Sequence, residues 1–229
     1  MKFDRKIYFD AVRQKPFGGS LDQDQVDGQN AILEVFEASE VEDIRWFAYM
    51  LATTYHETAQ TMLPISEYGH GEGHPYGEQD PETGQTYYGR GYVQLTWREN
   101  YARATQELGL EGDDDLEWHA GQALDREIAG VILVGGMVEG WFTGKSLEQY
   151  FNDTLDDPVN ARAIINADVS TMGKTIAGYH QSFLDALEAA LIEEPDPAEE
   201  PTIDIALTTT GRVTVSVTLN GEPILAAGV

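Results

Sequence analysis

The 229-residue sequence predicts a mainly α-helical unit followed by a short C-terminal β-hairpin tail. Three observations carry that expectation. Apolar residues recur at three- and four-residue spacing through most of residues 1 to 192, the period of a helix with one buried face. Residues 193 to 201, EEPDPAEEP, then break the pattern with the proline and acid content of an extended linker. Beyond them, in residues 202 to 229, the period shortens to two: Ile203, Ile205 and Leu207, then Val213, Val215, Val217 and Leu219, alternate with polar residues.

Among the first forty residues, Ile7, Phe9 and Val12 precede a Gly18-Gly19 turn, and Ala31, Ile32, Val35 and Phe36 follow at helical spacing, so two helices are expected. Residues 41 to 62 put Ile44, Phe47, Ala48, Leu51 and Tyr55 on one stripe, as in a strongly buried amphipathic helix. The stretch from Pro64 to Thr86 is rich in Gly, Pro, His and acids and far longer than an ordinary connection. Long loops on a rigid scaffold often build binding sites, so a cleft is expected there. Helical spacing returns over about 98–109, 119–140, 146–152, 158–166 and 171–192, the last with Ile176, Tyr179, Phe183, Leu187 and Leu191 on one face. In the tail, a turn near Gly211 and another at Asn220-Gly221 separate the runs. Short strands do not stand alone in water, so the tail is expected to pack on the helical unit or to self-associate with another copy of the chain.

Fourteen Lys and Arg against 40 Asp and Glu leave a formal net charge of −26, a field that repels polyanions and excludes nucleic acid as a partner. Such acidity serves solubility and suits a salty habitat, where screening relieves self-repulsion. With no cysteine, there is no disulfide framework, cysteine zinc site or thiol nucleophile. The start, MKFDRKIYFDAVRQKPFGG, lacks the apolar run of a signal peptide, and no later stretch approaches membrane-spanning length, so neither leader-directed export nor membrane insertion is expected. His70-Gly71-Glu72-Gly73-His74 is a local metal candidate, but its residues lie in a glycine-rich loop rather than on one helix face, and His56-Glu57 lacks the second histidine of the zinc-protease pattern. No metal or other cofactor is expected. A serine nucleophile elbow, Gly-x-Ser-x-Gly, is absent.

The segment from Tyr55 to Tyr101 combines Tyr55-His56-Glu57-Thr58, Pro64-Ile65-Ser66-Glu67 and YYGRGYVQLTWRENY. With these blocks, and with GWFTGKSLEQYF at 140–151 and DDPVNARAIINAD at 156–168, the chain resembles glycoside hydrolase family 19 over roughly residues 40 to 192. That is the chitinase-like lysozyme fold of plant chitinases and of phage or bacterial endolysins. The resemblance implies a lysozyme-like, two-lobed α-helical domain with an active-site cleft, and an enzyme that cleaves β-1,4 bonds between N-acetylated aminosugars with inversion.

It implies Glu57 as general acid, and a place at the edge of the apolar stripe disfavours the charged form, as a group that must keep its proton requires. Glu67 is implied as the base that activates water. Its loop suits the separation of roughly 6.5–9.5 Å between carboxyls in inverting enzymes, against roughly 5–5.5 Å in retaining ones. Glu72, Glu78, Asp80 and Glu82 share that loop, and Glu72 stays open as an alternative. Thr96 falls where the family places a hydroxyl, which can both accept from and donate to the attacking water. Gln94 and Asn100 carry amides suited to N-acetyl and hydroxyl groups, and Asn166 matches another sugar-contacting position. Tyr88, Tyr92 and Trp97, with Tyr87, divide between stacking on sugar rings and filling the core. His56 adjoins the acid. Arg90, between glycines that allow close approach or positive φ, is expected to pair with buried carboxylates, and Arg162 to hold the cleft wall.

Chitin and peptidoglycan share the linkage, so the carboxyl pair does not choose between them. Plant-type chitinases of this family read Gly-Pro-Ile-Gln-Leu-Ser and carry disulfides; this chain reads Gly91-Tyr92-Val93-Gln94-Leu95-Thr96-Trp97 and has no cysteine. It looks like the phage endolysin branch, which implies a muramidase-type enzyme on bacterial peptidoglycan that reaches the wall from the cytoplasm through a separate release system. A chitinase remains open, as does an inactive sugar-binding or virion structural module. The presence of both carboxyls counts against the latter.

Overall fold

The computed structural model describes residues 1–192, 203–209, 213–219 and 222–228. These fall into two units, Met1–Ile192 and Glu193–Val229. The first unit holds helices α1 (Arg5–Gln14), α2 (Gln23–Ala38), α3 (Ile44–Glu57), α4 (Arg98–Leu108), α5 (Arg126–Glu139) and α6 (Val169–Ala190). Aspartates start four of them: Asp4, Asp22, Asp43 and Asp125 accept from first-turn N–H groups of α1, α2, α3 and α5, donors that have no partner inside a helix.

The central element is α3. Every residue from Phe47 to Tyr55 is buried, so the stripe read in the sequence is a helix enclosed on all sides, with α6 along it and α2 and α5 beside it. Phe47 stacks on Phe36 of α2 with ring centroids 4.4 Å apart. Apolar cover ends after Tyr55, and His56 and Glu57 emerge at the helix terminus, half-buried. There the Thr58 N–H and hydroxyl both donate to the Thr54 carbonyl, and Ala59, Gln60 and Met62 take positive φ, which reverses the chain. It runs into β1 (Ile65–Ser66), which pairs antiparallel with β2 (Arg90–Gly91) through Ile65↔Gly91 and Ser66↔Arg90. This small sheet carries the loop from Glu67 to Gly89.

Several elements differ from expectation. The helix expected over 119–140 is broken at Asp125: a 3-10 turn at Ala120–Leu124 precedes α5, which Asp125 caps afresh. The segments 146–152 and 158–166 form only the 3-10 turns Leu147–Gln149 and Asn160–Ile164. In α1 the buried residues are Tyr8 and Val12, whereas Ile7 is exposed. The ends of the unit meet, since Asp4 N–H donates to the Ala190 carbonyl and Ile192 N–H to that of Lys2.

The second unit holds three strands, β3 (Ile203–Thr209), β4 (Val213–Leu219) and β5 (Glu222–Gly228), antiparallel in that order. Register pairs Ile203↔Leu219, Ile205↔Val217 and Leu207↔Val215, so the alternating apolar positions of β3 and β4 fall on one face. The expected linker 193–201 and the turns at Gly211 and Asn220-Gly221 lie outside the described residues. Among the described residues no helix is long and apolar enough to cross a membrane.

Candidate active site

Glu57 closes α3, and its Oε1 accepts from Nη1 of Arg162, in the turn Asn160–Ile164. The Arg162 side chain is 3% exposed. Its Nε donates to Asp168 Oδ1 at 2.6 Å and its Nη2 to Oδ2 at 3.3 Å, so one guanidinium serves two carboxylates. The Arg162 hydrogen bond holds the Asp168 carboxyl below the ordinary aspartate range, and His56 adds to this from nearby. The apolar edge expected for Glu57 is therefore joined at one oxygen by a cation, and Arg162 braces the carboxyl directly. Oε2 has no hydrogen-bond partner among the described residues.

Glu67 follows β1 directly. Its N–H donates to the Gly89 carbonyl at 2.7 Å, the Gly89 N–H returns a bond to Oε2 at 3.1 Å, and the Tyr76 hydroxyl donates to Oε1 at 3.2 Å. A Cβ at Gly89 would lie 2.9 Å from Gln94 Oε1 and 3.3 Å from its Cβ, so Gly89 leaves room for the Gln94 side chain. Of the rival acids, Glu72, Glu78 and Glu82 are exposed, while Asp80 accepts from the backbone of Glu82 and Thr83 and from Arg98. Glu67 is the loop acid held against β2. The loop itself is a run of tight turns with positive φ at Gly69, His70, Gly71 and Gly73. His70 and His74 stack on different tyrosines, Tyr88 and Tyr76, at 4.7 and 4.9 Å.

Gln94 and Trp97 are both left-handed, with φ of 54° and 75°, on either side of Leu95-Thr96. Such backbone costs of order 1–3 kcal/mol per residue and clusters at functional sites. Arg90 and Leu95 exchange backbone hydrogen bonds at 3.1 and 2.8 Å, which closes the turn. The Thr96 hydroxyl donates to the Gln94 carbonyl at 2.7 Å, so toward a water it can only accept. The Gln94 amide nitrogen donates to the Ile65 and Gly91 carbonyls and braces β1 against β2; that of Asn100 donates to the Thr96 carbonyl. Both Gln94 N–H groups are thus engaged by backbone, while Asn100 commits one of its two. Asn166 is exposed, and its side chain accepts from the Ala167 N–H.

The aromatic residues separate clearly. Tyr92 is fully buried with an unpartnered hydroxyl and cannot stack on a sugar. Tyr87 is also buried, its hydroxyl donating to the Glu117 carbonyl. Tyr88 has one face under His70 and the other under the Arg90 guanidinium, 3.5 Å from the ring centroid, so neither face is free. Arg90 is buried but meets no carboxylate among the described residues; it donates to the Thr86 and Tyr88 carbonyls and the Tyr101 hydroxyl, which corrects the expected ion pairing. Trp97, 46% exposed, and Tyr68, 83% exposed and next to Glu67 in the chain, keep ring surface open to solvent. Sequence reasoning missed Tyr68, Tyr76 and Asp168. Only Asp168 carried a signal, as the end of the block that contains Arg162. A groove of about 770 Å³, lined in part by Ala31, Val35, Val131 and Val134, includes none of these residues.

No family model and no curated protein matches the sequence. Solved structures do. Chitinase C from Streptomyces griseus HUT6037 superposes with a TM-score of 0.56 at 15% identity, covering 81% of this chain and 76% of that one. A chitinase C variant with a single Glu-to-Gln substitution gives 0.50 at 18% identity, covering 81% and 92%. The likeness at these identities is one of fold: the chain shares the architecture of these chitinases.

Proposed function

We propose that the chain is a glycoside hydrolase of β-1,4-linked N-acetylated aminosugar polymers, with bacterial peptidoglycan as its preferred substrate. The observation that carries this reading is the unlike anchoring of two carboxyls in a shared fold. Glu57 is braced through one oxygen by Arg162 and open at the other, whereas Glu67 is held at both oxygens by neutral donors. Two carboxyls in different settings are what acid–base cleavage of a glycosidic bond needs.

In this reading Glu57 passes a proton from Oε2 to the leaving oxygen as the bond from that oxygen to the anomeric carbon breaks. Glu67 takes one proton of a water, and Thr96, whose own hydrogen is committed to Gln94, accepts a hydrogen bond from the other. The water's lone pair is then free to form the new bond to the anomeric carbon from the opposite face. Arg162 stabilises the carboxylate that Glu57 becomes. Trp97 and Tyr68 offer faces for the pyranose rings.

Chitin is the second reading, favoured because the superposing structures are chitinases. Peptidoglycan is supported by Gly91-Tyr92-Val93-Gln94-Leu95-Thr96 and the lack of cysteine, and an enzyme of that kind works on the wall after release through a separate pore. The test is mass spectrometry of products from purified peptidoglycan and chitin oligomers run side by side, with proton NMR of the earliest products. Muropeptides with a new reducing end and an initial α anomer are expected. An initial β anomer overturns the single displacement, and no cleavage of either polymer overturns the reading.

A further inference from the structure

We infer that Tyr76 is a positioning residue for the base: its hydroxyl, with the Gly89 N–H, fixes the Glu67 carboxylate in the orientation that meets the attacking water. The inference rests on the reading of Glu67 given above. Each oxygen of Glu67 has one donor, Tyr76 at Oε1 and Gly89 at Oε2, so neither rotation of the carboxylate nor withdrawal of the side chain is free. Removing the phenol leaves one anchor.

The tyrosine is itself fixed on several sides. Its ring lies parallel to His74, with centroids 4.9 Å apart and planes 5° from parallel, and meets Trp97 edge-on at 5.1 Å. Two glycines make room for it: a Cβ on Gly71 would lie 2.9 Å from two Tyr76 ring carbons, and one on Gly77 would lie 2.1 Å from the Gly71 carbonyl oxygen. The Tyr76 carbonyl accepts from the Tyr87 N–H at 3.0 Å, tying this loop to the segment that ends at Gly89. Burial, and then the adjacent Glu67 charge, push the phenol above the ordinary tyrosine range, so it keeps the proton that it donates. The glycine-rich loop is thus a frame that brings a phenol to a carboxylate nine residues earlier in the chain.

Tyr76→Phe keeps the ring and its stacking and removes only the donor. Kinetics are measured on whichever of N-acetylglucosamine oligomers and purified peptidoglycan the wild-type chain cleaves. The expected result is an unchanged thermal midpoint, a KM within about twofold of wild type and a fall in kcat of roughly tenfold, equivalent to about 1.4 kcal/mol. Unchanged kcat overturns the inference, and so does a raised KM with kcat intact, which would place the phenol on the sugar. Should Tyr76→Phe melt early, His74→Ala replaces it: this exposed side chain orients the ring without touching the carboxylate, and a two- to fivefold fall in kcat at constant KM is expected, with wild-type kcat again overturning the inference. Glu67→Gln run alongside separates the two ideas. If it stays active, the base assignment fails; if it is inactive while Tyr76→Phe is unaffected, only the tyrosine assignment fails.

Discussion

The Arg162 guanidinium is bonded to the Glu57 carboxyl group across 105 residues of sequence, and it bonds Asp168 as well. This ties the end of α3 to the residue that precedes α6, the two helices whose packing dominates the core. The proposed catalytic geometry and the stability of the unit therefore share a residue.

Glu57→Gln and Arg162→Met separate those roles. The amide of the first still accepts from Arg162 but has no acid to give, so activity should fall about 10²- to 10⁴-fold with little change in the unfolding midpoint. Arg162→Met leaves the Glu57 and Asp168 carboxyls without the cation that each is bonded to. Breaking a buried pair costs about 3–5 kcal/mol, and the low end applies here because Asp168 is 32% exposed. Activity assays and urea unfolding of both variants check this, and near-wild-type turnover by Glu57→Gln would remove Glu57 from the mechanism.

Gly89→Ala should lower kcat more than it lowers stability. The added Cβ would sit 2.9 Å from Gln94 Oε1, and relieving that contact moves either the Gln94 brace or the N–H that holds Glu67. Overpacking of this kind costs about 1–3 kcal/mol. Equal losses of folded fraction and activity would make the glycine purely structural.

The legible and the illegible parts of this fold divide along physical lines. Helix α3 could be read because its apolar residues recur at helical spacing, whereas Glu57 at its end was singled out only by the resemblance of the His56-Glu57-Thr58 block. The break at Asp125 was hidden, since apolar spacing continues across it and only the capping bonds of Asp125 restart the helix. Residue type told nothing about which aromatic faces were free: Tyr88, Tyr92 and Trp97 lie within ten positions yet end sandwiched, buried and open. The partners of Arg90 and Arg162 could not be inferred from neighbours, because a buried guanidinium bonds whatever the fold brings, carbonyls in one case and carboxylates in the other.

Acid should weaken the fold in two stages, the first from His180. Burial pushes this imidazole below its ordinary value of 6.5, against the opposing effect of the Arg45 carbonyl that it meets at 3.2 Å. Below about pH 6.5 the unfolded chain binds a proton there that the native state does not, so stability falls as pH drops through that range. Asp168 follows: its folded carboxyl titrates below the unfolded value of 3.8, and the stability that Arg162 lends it is lost as pH falls below that point. Urea midpoints measured between pH 7.5 and 5 for wild type and His180→Gln test the first stage. The variant's curve should be flatter, and parallel curves would show that His180 does not govern it.

Salt should distinguish the two polymers. With a net charge of −26, encounter with an anionic cell wall is opposed by long-range repulsion, which salt screens over a Debye length of about 10 Å at 0.1 M. Initial rates on peptidoglycan should therefore rise as ionic strength is brought from low to moderate values. Neutral chitin oligomers experience no such repulsion, and their hydrolysis should change little over the same range. The comparison uses one enzyme preparation and the same salt series, so a gain in folded fraction from screened self-repulsion would raise both rates and cancel in their ratio. A ratio that stays constant, or falls monotonically with added salt, would mean that the acidic surface does not limit access to the wall.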